Sequence, residues 1–248
     1  RDVGVNAGSN GNSAWRSNVA VNNLNYPGLS YSMFSVPHRV NGYVSYAIQY
    51  AKKHLSTTVS LYYTGSHTAR LSYIYSNDLN GDGQACDLIY VPRDASEIRF
   101  VDVVKDGRVT YSAQDQAADF FAYVEGNGYL KKRKGQYAER GGALAPWLNR
   151  FDVKIVQDIA ARFGTGKRYT LQLTADILNV GNLLCSDWGI YYANGLRDYD
   201  NIMPLTYRGV DASKTPTFTL NASDRESFRK KADCSRGMIN SFPSCASF

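Results

Sequence analysis

The 248-residue chain is predicted to be all-β: a partial transmembrane antiparallel β-barrel of long hairpins, with long extracellular loops that carry a short helix. Three observations predict it. Two hairpins alternate strictly between apolar and polar residues. Their strands run about twice the usual 5 to 6 residues. Tight turns join the strands at one end, while the remaining connections are long, the pattern of outer-membrane barrels.

The first hairpin begins at Arg39–Tyr50, RVNGYVSYAIQY. Val40, Val44, Tyr46, Ile48 and Tyr50 fall on one face. Asn41, Ser45 and Gln49 share the other with Tyr43 and Ala47. A polar turn, Ala51-Lys52-Lys53-His54, leads into LSTTVSLYYT over Leu55–Thr64. Leu55, Thr57, Val59, Leu61 and Tyr63 oppose an almost wholly hydroxyl-bearing face of Ser56, Thr58, Ser60, Tyr62 and Thr64. In the second hairpin Phe151, Val153 and Ile155 alternate with Arg150, Asp152 and Lys154. After the turn GTGKR at 164–168, Tyr169, Leu171, Leu173, Ala175 and Ile177 alternate with Thr170, Gln172, Thr174 and Asp176.

Strands of this length suit a bilayer, which needs about 9 to 11 residues, apolar toward lipid and polar toward the lumen. Hydrocarbon offers no water to an unpaired backbone group, so such strands close into barrels. Tyrosines gather at the headgroup level because one end of the ring is apolar and the other wet. Asp152, Lys154, Gln172 and Asp176 are read as lumen-facing, with opposite charges pairing across strands. A soluble β-sandwich or meander explains the alternation, but less well the strand length and the charged second face.

The long connections run from about 66 to 147 and from 182 onward. Thr68–Tyr75 is expected to continue the strand of Leu55 past a break at Gly65-Ser66, and Leu88–Val91 to start its partner. A helix is expected over Ala113–Glu125: Ser112 and Asp115 form a capping box, and Phe120, Phe121 and Val124 a buried stripe. Gly126-Asn127-Gly128 would stop it.

Asn77–Pro92 reads NDLNGDGQACDLIYVP. Asp78, Asn80, Asp82 and Gly83 match the first half of a calcium-binding EF-hand loop, and Asp87 is a further acidic candidate ligand. The second half fails, because the bidentate Glu needed at position twelve is Ile89. Two readings stand: a calcium-stiffened loop between strands, or an Asp/Asn/Gly turn bonding its own backbone.

Composition excludes several classes. No apolar run approaches the roughly 18 residues of a membrane helix. The N-terminus lacks signal-peptide character, and because the chain starts with Arg it is taken to lack its true beginning. Net charge is +6, from 28 basic and 22 acidic residues, but the basic residues are scattered, so no nucleic-acid partner is expected. KKRK at 131–134 is read as a solvated loop. Cys86, Cys185, Cys234 and Cys245 contain no C-x-x-C pair, which argues against zinc, and their wide spacing argues against pairing, although an oxidising compartment would allow one or two disulfides. His38, His54 and His67 have no metal spacing and read as interface or loop residues, and Trp15, Trp147 and Trp188 as rim or loop aromatics, with a sugar-stacking platform as the alternative. No acid/base or nucleophile grouping stands out, so the chain is not read as an enzyme, and calcium is the one cofactor considered.

Several segments resemble the C-terminal barrel portion of a TonB-dependent outer-membrane receptor, of the Bacteroidetes type with an N-terminal carboxypeptidase-regulatory-like domain. They are VPHRVNGYVSY, LSTTVSLYYTGSHTARLSYIYSNDLNGDG, DLIYVP, PWLNRFDVKIVQDI and YTLQLTADILNVGNLL with Trp188-Gly189, in that order over about residues 12 to 220. The resemblance implies part of a plugged barrel of about 22 strands, of which this chain would supply six to eight. It also implies uptake of a scarce nutrient (a metal chelate, glycan or peptide), energised by TonB through a plug N-terminal to this stretch. A surface lipoprotein partner is a further implication. Residues 1–220 are accordingly read as barrel and 221–248 as an atypical tail, frameshifted or disordered, since Pro243 would break a terminal strand. The competing reading is a secreted, calcium-stabilised β-sandwich binding module or adhesin; a secreted β-rich hydrolase ranks behind both.

Overall fold

A computed structural model describes residues 18–26, 28–32, 35–67, 69–163, 166–186, 188–193, 201–221 and 229–231. The expectations for Trp15 and most of the tail lie outside these residues. The described chain is mostly β-strand with few helices. Its strands are β1 (Arg39–Tyr50), β2 (Leu55–His67), β3 (Arg70–Tyr75), β4 (Tyr90–Val91), β5 (Arg99–Phe100), β6 (Val103–Lys105), β7 (Arg108–Tyr111), β8 (Gln136–Tyr137), β9 (Ala143–Leu144), β10 (Trp147–Phe163), β11 (Lys167–Ile177), β12 (Tyr191–Ala193), β13 (Asn201–Val210), β14 (Pro216–Leu220) and β15 (Arg229–Lys231). The helices are α1 (Ala113–Gly126), α2 (Gly128–Lys132) and α3 (Gly181–Leu184). Where the resemblance implies one barrel portion over 1–220, the chain divides into two compact units that alternate along the sequence.

The first unit, drawn from Val36–Thr68, Pro146–Tyr192 and Lys230–Phe248, holds both hairpins. Its strands of 12, 13, 17 and 11 residues form one antiparallel sheet in the order β1-β2-β10-β11. Four long strands therefore stand where six to eight are expected, and among the described residues they form an open sheet, not a closed barrel. The first turn is tight: Ala51, Lys52 and Lys53 take left-handed φ values of 50°, 53° and 68°, and Lys53 N–H donates to Tyr50 O at 3.1 Å. Leu55 pairs with Ile159 and Phe163 with Lys167, so both tight turns lie at one end of the sheet.

The second unit, drawn from Arg1–Ser35, Ala69–Ala145 and Ala193–Arg229, is a mixed sheet ordered β5-β14-β13-β3-β9. It corrects three expectations. β2 runs unbroken through Gly65-Ser66 to His67, and the segment after it is β3, which leaves that sheet to run parallel to β13, Asn201 opposite Ser72. All six residues of β3 are buried, and the strand lies inside the sheet between β13 and β9. Leu88 does bridge antiparallel to Ile74, but β4 then pairs with β8. Residues beyond 182 are not only loop, since β13 and β14 form an antiparallel pair within this core.

The helix forms as α1, with the Ser112 hydroxyl accepting from Asp115 N–H at 3.1 Å and donating to the Asp115 carboxylate at 2.7 Å. Its buried stripe is Gln116, Phe120 and Val124, and Phe121 is only partly buried. Gln116 belongs there because both amide hydrogens and the carbonyl oxygen find partners: Nε2 donates to Val101 O and Tyr111 O, and Oε1 accepts from Leu220 N–H. Gly126 ends α1, and Asn127 at once caps α2, its side chain accepting from Tyr129 and Leu130 N–H. Lys131 and Lys132 therefore close a helix. Lys131 and Lys134 pair with Glu125, and Arg133 with Glu139, which corrects the reading of KKRK as a simple solvated loop.

Candidate functional site

The register of the four-stranded sheet puts all the apolar half-strands on one side. Val44 faces Leu61, Leu61 faces Val153, and Val153 faces Ile177. One step along, Tyr46, Val59, Ile155 and Ala175 line up likewise. A slip of one residue in any pair would break this row. The face is uncovered: Val44 is 65% exposed, Tyr46 71%, Leu171 60% and Leu173 54%. From Leu55 to Tyr63 the apolar band spans about 25 Å at roughly 3.3 Å per residue, close to the outward band of membrane barrels.

The polar groups on this face bond one another. Thr57 Oγ1 donates to Gln157 Oε1 at 2.5 Å, and Tyr50 Oη lies 3.0 Å from each of them. Toward the other end, Tyr63 Oη and Trp147 Nε1 both donate to Asn149 Oδ1, at 2.8 and 3.1 Å. Such mutual satisfaction lowers the cost of withdrawing these groups from water.

The opposite face carries all four residues expected there. Lys154 and Asp176 are directly opposed and pair at 3.9 Å. Asp152 instead accepts from Arg150 Nε at 3.0 Å and from Asn179 N–H at 2.7 Å. Gln172 donates to Asp158 Oδ1 at 2.9 Å. Arg150, already on the polar face by alternation, and Asp158 lie in the same set as the four expected residues. Tyr43 and Tyr62 stack at 4.7 Å beside a Ser45–Ser60 hydroxyl bond of 2.9 Å.

At the end of the sheet away from the tight turns, aromatic rings collect. Phe151 lies between Tyr63 at 4.9 Å and Trp188 at 5.4 Å. His67 meets Trp147 edge-on at 5.0 Å and His38 at 6.2 Å. Gly65 makes room for this, since a Cβ there would sit 2.8 Å from the Trp147 ring and against the Tyr63 hydroxyl. Tyr63, Asn149, Phe151 and Trp188 line an open cleft of about 340 Å³. Trp147 and Trp188 are thus rim aromatics of this unit, and His54, at the opposite end, lies 3.2 Å from Ala160 O through Nδ1.

The acidic turn lies in the other unit. Asp78 accepts from Gly81 N–H and Gly83 N–H, both at 2.7 Å, and these hydrogen bonds, Gly83 first, hold its carboxyl below the ordinary range. Asn80 Oδ1 accepts from Asp82 N–H and Asp82 Oδ1 from Gln84 N–H, each at 2.9 Å. Asp87 accepts from Leu79 N–H and from Asn80 Nδ2, and burial pushes its carboxyl up. Gly81 and Gly83 take φ of 78° and 84°, which side chains rarely adopt. Ile89 is fully buried, so position twelve faces the core. The four candidate ligands serve the backbone and each other, and among the described residues no group of three or more His, Cys, Asp or Glu could hold a metal ion. Cysteine pairing needs correction: Cys185 is disulfide-bonded, while burial pushes the Cys86 thiol up.

No protein-family model, no curated protein and no solved structure matches the chain.

Proposed function

We propose that this chain is part of a TonB-dependent outer-membrane transporter for a scarce nutrient, and that its four-stranded sheet is a section of barrel wall. The observation that carries the reading is the uncovered apolar face, aligned across four strands of 11 to 17 residues. In water such a face would drive aggregation; against lipid it is the stable surface. The ion-paired opposite face suits a hydrated lumen, and the two tight turns suit the periplasmic rim. The open outer edges of β1 and β11 would pair with further strands of the same barrel, because an unpaired edge is not tolerated in hydrocarbon. The disulfide at Cys185 fits an oxidising compartment.

Membrane flotation of the complete gene product tests the reading. The protein should float with outer-membrane vesicles, resist carbonate extraction and require detergent. A freely soluble product, or one whose Val/Leu/Tyr face packs on a second sheet, would overturn it.

A further inference from the structure

We infer that the cleft lined by Tyr63, Asn149, Phe151 and Trp188 is a binding site for the uncharged pyranose headgroup of an outer-leaflet glycolipid. The inference rests on the membrane reading above, which places this face against lipid.

All three sheet residues of the cleft are on the apolar face, because Tyr63 pairs with Phe151 and Asn149 with Gly65. They lie where the apolar band of β2 and β10 ends, the level at which headgroups begin. Three rings form a curved wall: Tyr63 and Phe151 are tilted 37° to each other, Phe151 and Trp188 34°. Curved aromatic walls offer π-faces to the axial C–H groups of a sugar ring, whose carbon-bound hydrogens are weakly positive. The polar handle is fixed. Asn149 Oδ1 accepts from both Tyr63 Oη and Trp147 Nε1, which settles the amide orientation and turns Nδ2, with its two donor hydrogens, to the remaining side. A hydroxyl oxygen of a sugar is the complementary acceptor.

Among the described residues no charged side chain lines the cleft, so that lining has nothing with which to neutralise a phosphate or carboxylate. Its volume of about 340 Å³ is at the small end of ligand pockets, room for one ring rather than an oligosaccharide. Trp188 remains 39% exposed, so part of the strongest stacking surface is unused by the protein itself. The acyl chains of a lipid held here would continue down the apolar face over Val153 and Leu61.

Three probes separate the sources of this chemistry. The full chain in a zwitterionic, sugar-free detergent is titrated calorimetrically with octyl β-glucopyranoside, with methyl β-glucopyranoside, and with an octyl oligoethylene glycol that has the tail but no sugar. The alkyl glucoside should bind saturably, and the two half-probes at least about tenfold more weakly. Trp188→Leu keeps apolar cover but loses the π-face, and should weaken the alkyl glucoside about tenfold, while Trp188→Phe retains most of the affinity. Equal binding of the sugar-free amphiphile would overturn the site as a sugar site. Equal binding of the methyl glucoside would overturn the lipid source in favour of a soluble sugar. Unchanged affinity in Trp188→Leu would overturn the cleft as its location. Failure of the membrane reading is seen separately, in flotation.

Discussion

Tyr46 and Tyr73 are both mid-strand tyrosines, yet one is 71% exposed and the other 1%. Leu61 and Leu71 differ in the same way, at 38% and 2%. The two units thus use one set of apolar residues in opposite senses. In the mixed unit Tyr73, Phe120, Ile202 and Leu205 close a protein core, and burial raises the Tyr75 hydroxyl to about 12. In the four-stranded unit the apolar residues lie on an exposed face, Val44 at 65% and Leu171 at 60%. The first arrangement excludes water with side chains; on the proposed reading the second meets lipid. That difference can be attacked directly.

The largest effect is expected in the mixed unit. Phe120 is fully buried, with the Phe100 ring at 5.7 Å and the Phe121 ring at 5.5 Å. Phe120→Ala should cost about 3–5 kcal/mol through lost burial and the cavity left behind. Denaturant unfolding followed by near-UV circular dichroism measures it. A loss below about 1 kcal/mol would mean that this core collapses freely and is not the packed interior described.

Leu61→Arg comes next and separates the two senses of apolar surface. On a lipid-facing strand, arginine at mid-depth costs about 2–4 kcal/mol. On a water-facing sheet, the same change at a partly exposed position would be neutral or would help solubility. Unfolding in lipid vesicles, with Thr58→Arg on the polar face as control, reads the difference. Equal effects on the two faces would remove the distinction on which the transporter proposal stands.

Gln116→Ala is expected to be intermediate. It leaves Val101 O, Tyr111 O and Leu220 N–H without their side-chain partner, at about 1–3 kcal/mol for a buried unmet polar group. Hydrogen exchange at Leu220 N–H should rise by the corresponding factor, while exchange in β1 and β2 stays unchanged.

The same residue shows where sequence stops being informative. In a helical stripe a polar side chain reads as solvent-facing; only the three tertiary partners of Gln116, from separate segments, make it a core residue. β3 misleads for a related reason. Its six residues are buried on both sides, so RLSYIY has no alternation to say where one sheet ends and another begins. Its parallel partner β13 lies some 130 residues away in sequence, beyond any local signal. The long hairpins were legible because the two faces of each strand carry residues of opposite polarity, and period two records that directly. The candidate lumen residues followed from the same pattern. Their partners did not, because Asp152 chooses Arg150 on its own strand over a charge across the sheet. The aromatic cleft was visible only as separate rings, since Tyr63, Phe151 and Trp188 come together through strand register and the chain reversal after β11.

The smallest effect concerns the acidic turn, and its sign is fixed by Asp78. The hydrogen bonds from Gly83 and Gly81 lower the folded pKa of this carboxyl, so its contribution to stability is present above the unfolded value, near 3.9, and is lost as pH falls through the lowered folded value. Asp87 acts oppositely: burial raises its folded pKa, so its contribution is complete below the unfolded value and declines as pH rises through the raised one. The Gly81 and Gly83 amides should therefore stay protected from pH 7 downward and open only below about 3.9. Because the carboxylates serve backbone N–H groups and not a shared cation, a calcium chelator at pH 7 should leave that protection unchanged, and Asp78→Ala should abolish it with or without added calcium. Amide exchange by nuclear magnetic resonance distinguishes the cases. Protection that collapses on chelation at neutral pH would mean that calcium, rather than the turn's own hydrogen bonds, orders this loop.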